Sequence, residues 1–128
     1  MQIVRRIPVK QVLTPDSRTK LQQKFQERNT RYENECRQLA FEQKKLERKP
    51  GVSREEVRKR FSRELSKRKD QMRWLDYQLK QLNELPDGSE LETDEVEVIV
   101  EVVEGDLWQD VMDDQAIVVK DGIVIRAR

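Results

Sequence analysis

Histidine is absent from these 128 residues, cysteine occurs once, and glycine and proline occur four times each. Without histidine there can be no Cys–His pair and no Ser-His-Asp triad. The side chain most often used as a general base or metal ligand is also missing. The lone Cys36 allows no internal disulfide, which fits a reducing compartment, and one thiol is too few for a zinc site. The scattered glycines form neither GxGxxG nor GxxxxGK[ST], so the loops that cradle nucleotide phosphates are lacking. No apolar run approaches the roughly 18 residues of a membrane span. The opening stretch MQIVRRIPVKQVLT has too many polar breaks for a signal peptide. Together these absences predict a cytoplasmic, non-enzymatic protein with no cofactor, no metal, no membrane association and no evident small-molecule substrate.

What the chain has in abundance is charge. Charged residues make up 40% of it and hydrophobic ones 35%, and the net charge of +1 conceals a split. Residues 1–83 hold 23 Lys and Arg against 11 Asp and Glu, and residues 84–128 hold 3 against 14. A basic part at +12 is thus joined to an acidic part at −11, and such asymmetry is a clue to partners. A chain this polar folds only if its apolar residues lie on narrow, regular stripes.

Those stripes are legible. Residues 3–13 read as one or two short strands, with Pro8 restricting them to an edge or a bend. Thr14-Pro15-Asp16 has the chemistry of a helix start: a cap, a first-turn proline and an acid at the positive end of the dipole. No Gly or Pro follows until Pro50-Gly51. Phe25, Tyr32, Leu39 and Leu46 recur every seven residues, while Arg28, Glu35 and Glu42 interrupt the adjoining seam position. Ser53 and Glu56 read as a capping box for a second helix ending near Glu84. Its seam is Phe61, Leu65, Met72, Leu75, Leu79 and Leu82, with Arg68 as the intruder. Two long helices with a short break between them run antiparallel to bury both seams. The implied register sets Phe25 near Tyr77 and Phe41 near Phe61.

From Asp94 the period becomes two, with Val96, Val98, Val100 and Val102 on one face. Leu107–Met112 suits one helical turn, with Trp108 as an anchor for the β part. Asp121-Gly122, between Ala116–Lys120 and Ile123–Arg126, is a two-residue hairpin signal. The expected fold class is α+β. A long antiparallel coiled-coil-like helical hairpin (15–85, tip near 49–53) joins a small β-sheet or partial barrel. That sheet combines the N-terminal strand (1–14) with strands of an acidic module (86–128). The resulting molecule would be electrically polar along roughly 50 Å.

The stretches VKQVLT, LAFEQKKLE, KRKDQMRWLDYQLKQLNELPDGSEL and GDLWQDV…IVVKDGIV, in that order and spacing, resemble the YlqD family of bacteria. The resemblance covers nearly the whole chain. It implies a small protein of Gram-positive bacteria and cyanobacteria, a family with no assigned biochemical activity and so no catalytic residues to carry over. In relatives the gene often lies beside genes for a small-subunit ribosomal protein and for ribosomal RNA maturation factors. The resemblance therefore implies work linked to the ribosome.

Three sets of residues are candidates for function. Residues 48–73 are dominated by Lys and Arg. Within them Arg48, Lys49, Arg54, Arg58, Lys59, Arg60, Arg63 and Lys67 form a stripe suited to the phosphates of RNA or of the ribosome. The alternative is a solvated face, partly neutralised by pairs such as Glu56–Arg60 and Glu64–Arg68. With aromatics scarce and no RNP or KH motif present, contact should be directed at the backbone rather than at bases. Phe41, Trp74 and Tyr77 lie off or beside the seam. They either pack within the hairpin, Trp74 near Arg28, or form an interface for a partner or a homo-oligomer. Asp106, Asp110, Asp113 and Asp114 are either a solvated acidic loop or a site for a divalent ion, without the EF-hand pattern. Two functions follow: a ribosome- or RNA-associated binding protein, or a self-assembling structural adaptor or holdase-like scaffold.

Overall fold

Thr14 ends a strand and starts a helix, and its local bonds show how. In the computed structural model, which describes residues 1–128, the Ser17 backbone N–H donates to Thr14 Oγ1 at 3.1 Å. The Thr14 N–H donates back to Ser17 Oγ at 2.9 Å. This reciprocal cap opens helix α1 (Pro15–Glu47) and satisfies two otherwise orphan donors. Helix α2 (Arg54–Glu84) starts at Ser53, whose Oγ accepts the Glu56 N–H at 3.4 Å. Between the helices the chain turns through Gly51, at φ 80°, a left-handed conformation that suits a residue without Cβ.

The chain forms two compact units, Leu21–Lys80 and Met1–Lys20 with Gln81–Arg128. In the first, α1 and α2 run antiparallel. Glu47 pairs with Arg58 and Glu35 with Arg68, so position numbers fall along one helix as they rise along the other. The buried residues are Leu21, Phe25, Val57, Phe61, Leu75 and Gln78. From the Glu35–Arg68 contact, ten residues back on α1 and ten forward on α2 give Phe25 and Gln78. Both are buried, whereas Tyr77 is half exposed. The same count from the Glu47–Arg58 pair gives position 80, so Phe25 lies level with the turn of α2 at 78–80, beside the expected Tyr77. Phe41, at 68% exposure, does not share the burial of Phe61. Tyr32, Leu39 and Leu46 are only partly covered.

The second unit is built on a sheet of β1 (Gln2–Val12), β2 (Glu90–Glu101), β3 (Ile117–Lys120) and β4 (Ile123–Ala127), in the order β2-β1-β3-β4. β1 is antiparallel to β2 and parallel to β3, and β3 is antiparallel to β4. The sheet ends on β2 and β4 and does not close, so it is an open mixed sheet rather than a partial barrel. Pro8 sits inside β1, yet β3 pairs only with Val9, Lys10 and Gln11, so β1 is an edge on that side at Pro8. The register of β1 on β2 shifts after Val9, where Thr93 is the extra residue. Asp121 and Gly122, at φ 47° and 81°, make the hairpin turn between β3 and β4 that their sequence predicts.

The core of this unit is Ile7, Val12, Leu13, Leu82, Leu91, Val111, Ala116 and Val118. The valine row of β2 contributes less than its alternation suggests. Val96 is exposed and Val98, Val100 and Val102 are half-buried, while Leu91 and Thr93 at the start of the strand are buried. Trp108 opens the short helix α3 (Trp108–Val111) but is 64% exposed. The anchor is Val111, whose carbonyl accepts a hydrogen bond from Arg5 at 2.8 Å.

α2 has no basic residue in its last turn. Arg18 of α1 compensates by donating to the carbonyls of Leu82 and Leu85 and to Asp87 Oδ1, the last at 2.7 Å. Arg18→Ala leaves these acceptors without their charged donor. It should lower stability by about 1.5–3 kcal/mol, read from denaturant midpoints. An unchanged midpoint would show that solvent serves the carbonyls equally well.

Candidate nucleic-acid interface

The eight basic residues proposed for polyanion contact, Arg48, Lys49, Arg54, Arg58, Lys59, Arg60, Arg63 and Lys67, are all exposed. They do not form one stripe. Arg48, Arg54 and Arg58, with Lys44, line a recess of about 330 Å³ around Glu47 beside the helix–helix turn. Lys59, Arg60, Arg63 and Lys67 line a shallow surface of α2 together with Glu56, Ser62, Glu64 and Ser66. Helical spacing places this surface on the side of α2 away from Phe61, Leu65 and Leu75. Lys49 lies in the turn and lines neither surface.

Ion pairs separate the two groups further. In the recess Arg58 Nε is 3.2 Å from Glu47 Oε1, so part of its charge is committed. On the outer surface Lys59 pairs with Glu55 at 3.7 Å and Lys67 with Glu64 at 3.5 Å. Arg60 and Arg63 have no carboxylate within 4.0 Å, and the expected Glu56–Arg60 pair does not form. The helical unit carries eighteen Lys and Arg against ten Asp and Glu, a net +8. The sheet unit carries eight against fifteen, a net −7. The excess of positive charge therefore belongs to the unit that displays Arg60 and Arg63.

Two residues that interrupt the apolar seams prove to be partners. Arg68 Nε is 3.2 Å from Glu35 Oε2 on the facing helix, and Arg68 Nη1 is 2.7 Å from Glu64 Oε2. Sequence alone shows each as an isolated intruder, because pairing them requires the register of the hairpin. The Glu64 carboxyl is held below its ordinary value of 4.5, first by the hydrogen bond from Arg68 and then by the charge of Lys67. Glu47 is held below 4.5 as well, first by a hydrogen bond from Gln43 and then, against some desolvation, by Arg58. Arg68 is raised above its ordinary value by Glu64 and then by Glu35.

The pH dependence follows from these directions. A carboxyl that ionises more readily when folded adds stability above its unfolded pKa. It loses that contribution as pH falls through the lower folded value. The helical unit should therefore lose stability as pH drops below 4.5. The double variant Glu47→Gln/Glu64→Gln should show a flatter acid limb in thermal melts. An acid limb as steep as that of the parent would locate the sensitivity elsewhere.

The three aromatic candidates also divide. Trp74 and Tyr77 stack, with ring centroids 5.5 Å apart and planes 24° from parallel, and are 48% and 53% exposed. The ring beside Trp74 is thus Tyr77. Phe41 lies on α1, about 18 Å along the helix from the position opposite Trp74, as fixed by the Glu35–Arg68 contact. Among the acidic residues, Asp106 Oδ2 accepts the Val103 N–H at 2.9 Å and Asp113 Oδ1 accepts the Asp114 N–H at 3.0 Å. No three carboxylates gather in a way that would hold a metal ion. No helix is long and apolar enough to cross a membrane.

Comparison with known proteins agrees with this architecture. A solved structure of a protein of unknown function from Synechococcus sp. WH 8102 is similar at a TM-score of 0.71 and 22% identity. The match covers 100% of this chain and 94% of that one, and this likeness concerns the fold alone. The uncharacterized protein YlqD of Bacillus subtilis strain 168 is 38% identical over 128 residues, which is 100% of this chain and 98% of that protein. The YlqD protein family matches residues 1–128. The chain therefore belongs to the YlqD family.

Proposed function

We propose that this is a non-enzymatic binding protein that contacts RNA, ribosomal RNA being the first candidate, through the outer surface of α2. The observation that carries this reading is the pair Arg60 and Arg63, exposed and without carboxylate partners, flanked by Lys59 and Lys67. Guanidinium groups not already engaged by acids are free to exchange counterions for phosphate oxygens. Ribosome-linked gene neighbours, implied by the family resemblance, favour RNA over other polyanions.

The test is retention of ribosomal RNA by the whole protein across a salt series. Three or four phosphate contacts give a slope of log affinity on log salt of about −2 to −3. Retention that is absent at low salt, or indifferent to salt, would remove the proposal. Self-assembly as a scaffold is the second reading, favoured by Phe41, which stays 68% exposed on α1. Light scattering that finds a strict monomer at micromolar concentration would dismiss it.

A further inference from the structure

Residues 60, 67 and 74 recur every seven along α2, and so do 63, 70 and 77. They make two adjacent rows on the helix face away from Phe61, Leu65 and Leu75. The rows run Arg60, Lys67, Trp74 and Arg63, Asp70, Tyr77. The one carboxylate among them, Asp70, is paired with Arg73 at 3.3 Å. Cations thus lead along a single face into a stacked aromatic pair. Lys67 lies about 10 Å and Arg60 about 21 Å along the axis from Trp74.

We propose that this face binds single-stranded nucleic acid, with Arg60, Arg63 and Lys67 on successive phosphates and the Trp74–Tyr77 stack beneath an unpaired base. The inference rests on the reading that the outer surface of α2 meets phosphates, and it adds the strand form that is recognised. Rings that already lie against each other at 5.5 Å are ordered before the ligand arrives, so a base joins the stack at little entropic cost. Both residues are about half exposed, so surface is available to a base. Every base has a π-face, so such a platform accepts many sequences. A duplex buries its base faces and offers this helix only phosphates. A second copy packed in parallel on the same face would bring Arg60, Arg63 and Lys67 against their own equivalents, which disfavours that contact.

The experiment uses full-length protein carrying Trp108→Phe, which leaves Trp74 as the sole tryptophan. Short oligouridine and oligothymidine serve as probes and distinguish RNA from DNA, beside an RNA duplex of the same length at the same salt. A single strand should quench Trp74 fluorescence and bind more tightly than the duplex. In the otherwise native chain, Trp74→Ala/Tyr77→Ala should weaken single-strand binding about tenfold and leave duplex binding unchanged. Unchanged single-strand affinity in that variant would overturn the proposal. So would light scattering in which the variant dissociates an oligomer that the parent forms. If the parent bound neither single strand nor duplex, the phosphate reading would fail with it. Equal binding of both, unaffected by the ring substitutions, would overturn the stacking claim alone.

Discussion

Phe25→Ala should cost the helical unit about 3–5 kcal/mol, the usual penalty for removing a fully buried aromatic ring. Phe25 is 0% exposed, and Gln78, close to its level on the other helix, is 1% exposed. Few buried residues hold this unit, so no neighbour is well placed to collapse into the void. For a chain of this size the thermal midpoint should fall by about 10–20 °C. Phe41→Ala is the matched control. That ring is 68% exposed, and its loss should change stability by less than about 0.5 kcal/mol. Circular dichroism melts of the two variants decide the matter. Similar midpoints for both would mean that the hairpin is not held by the seam that passes through Phe25.

That seam was visible in the sequence because it repeats. Phe25, Tyr32, Leu39 and Leu46 stand seven apart, and Phe61 to Leu82 alternate spacings of three and four. Period alone does not fix register, however. The cross-helix pairs Glu35–Arg68 and Glu47–Arg58 report it, and in the folded hairpin Gln78 is buried while Tyr77 is half exposed. The hairpin at Asp121-Gly122 was legible because its chemistry is local. The parallel pairing of β1 with β3 was not, since it rests on three residues about a hundred positions apart in the chain. Arg18 was hidden for the same reason, because its acceptors, Leu82 in the last turn of α2 and Leu85 just beyond it, come together with it only after folding. The basic run read as one stripe because sequence lists Arg58 beside Lys59, whereas a helix turns about 100° between them. Trp74 and Tyr77 stand out in the sequence as aromatics off the seam, but their stacking and the separate position of Phe41 emerge only in the fold.

Arg60→Glu/Arg63→Glu should reduce RNA retention on the order of a hundredfold at low salt and flatten its salt dependence. The change removes two cations that have no internal partner and sets two acids in their place. Because both residues are exposed and bridge nothing, the fold should be unaffected. Arg58 is a poorer choice for such a test, since its pair with Glu47 links the two helices. A loss of binding there would confuse structure with contact.

The decisive comparison holds charge constant and varies only the face. Arg60→Glu/Arg63→Glu changes the outer surface of α2, whereas Arg48→Glu/Arg54→Glu makes the same change in net charge beside the turn. Retention of ribosomal RNA by the two variants, at equal salt and with matched melting curves, measures the difference. Loss confined to the outer-surface variant is the predicted result. Equal loss in both would reduce the interaction to net charge, and loss only beside the turn would place the contact on the wrong face of the hairpin.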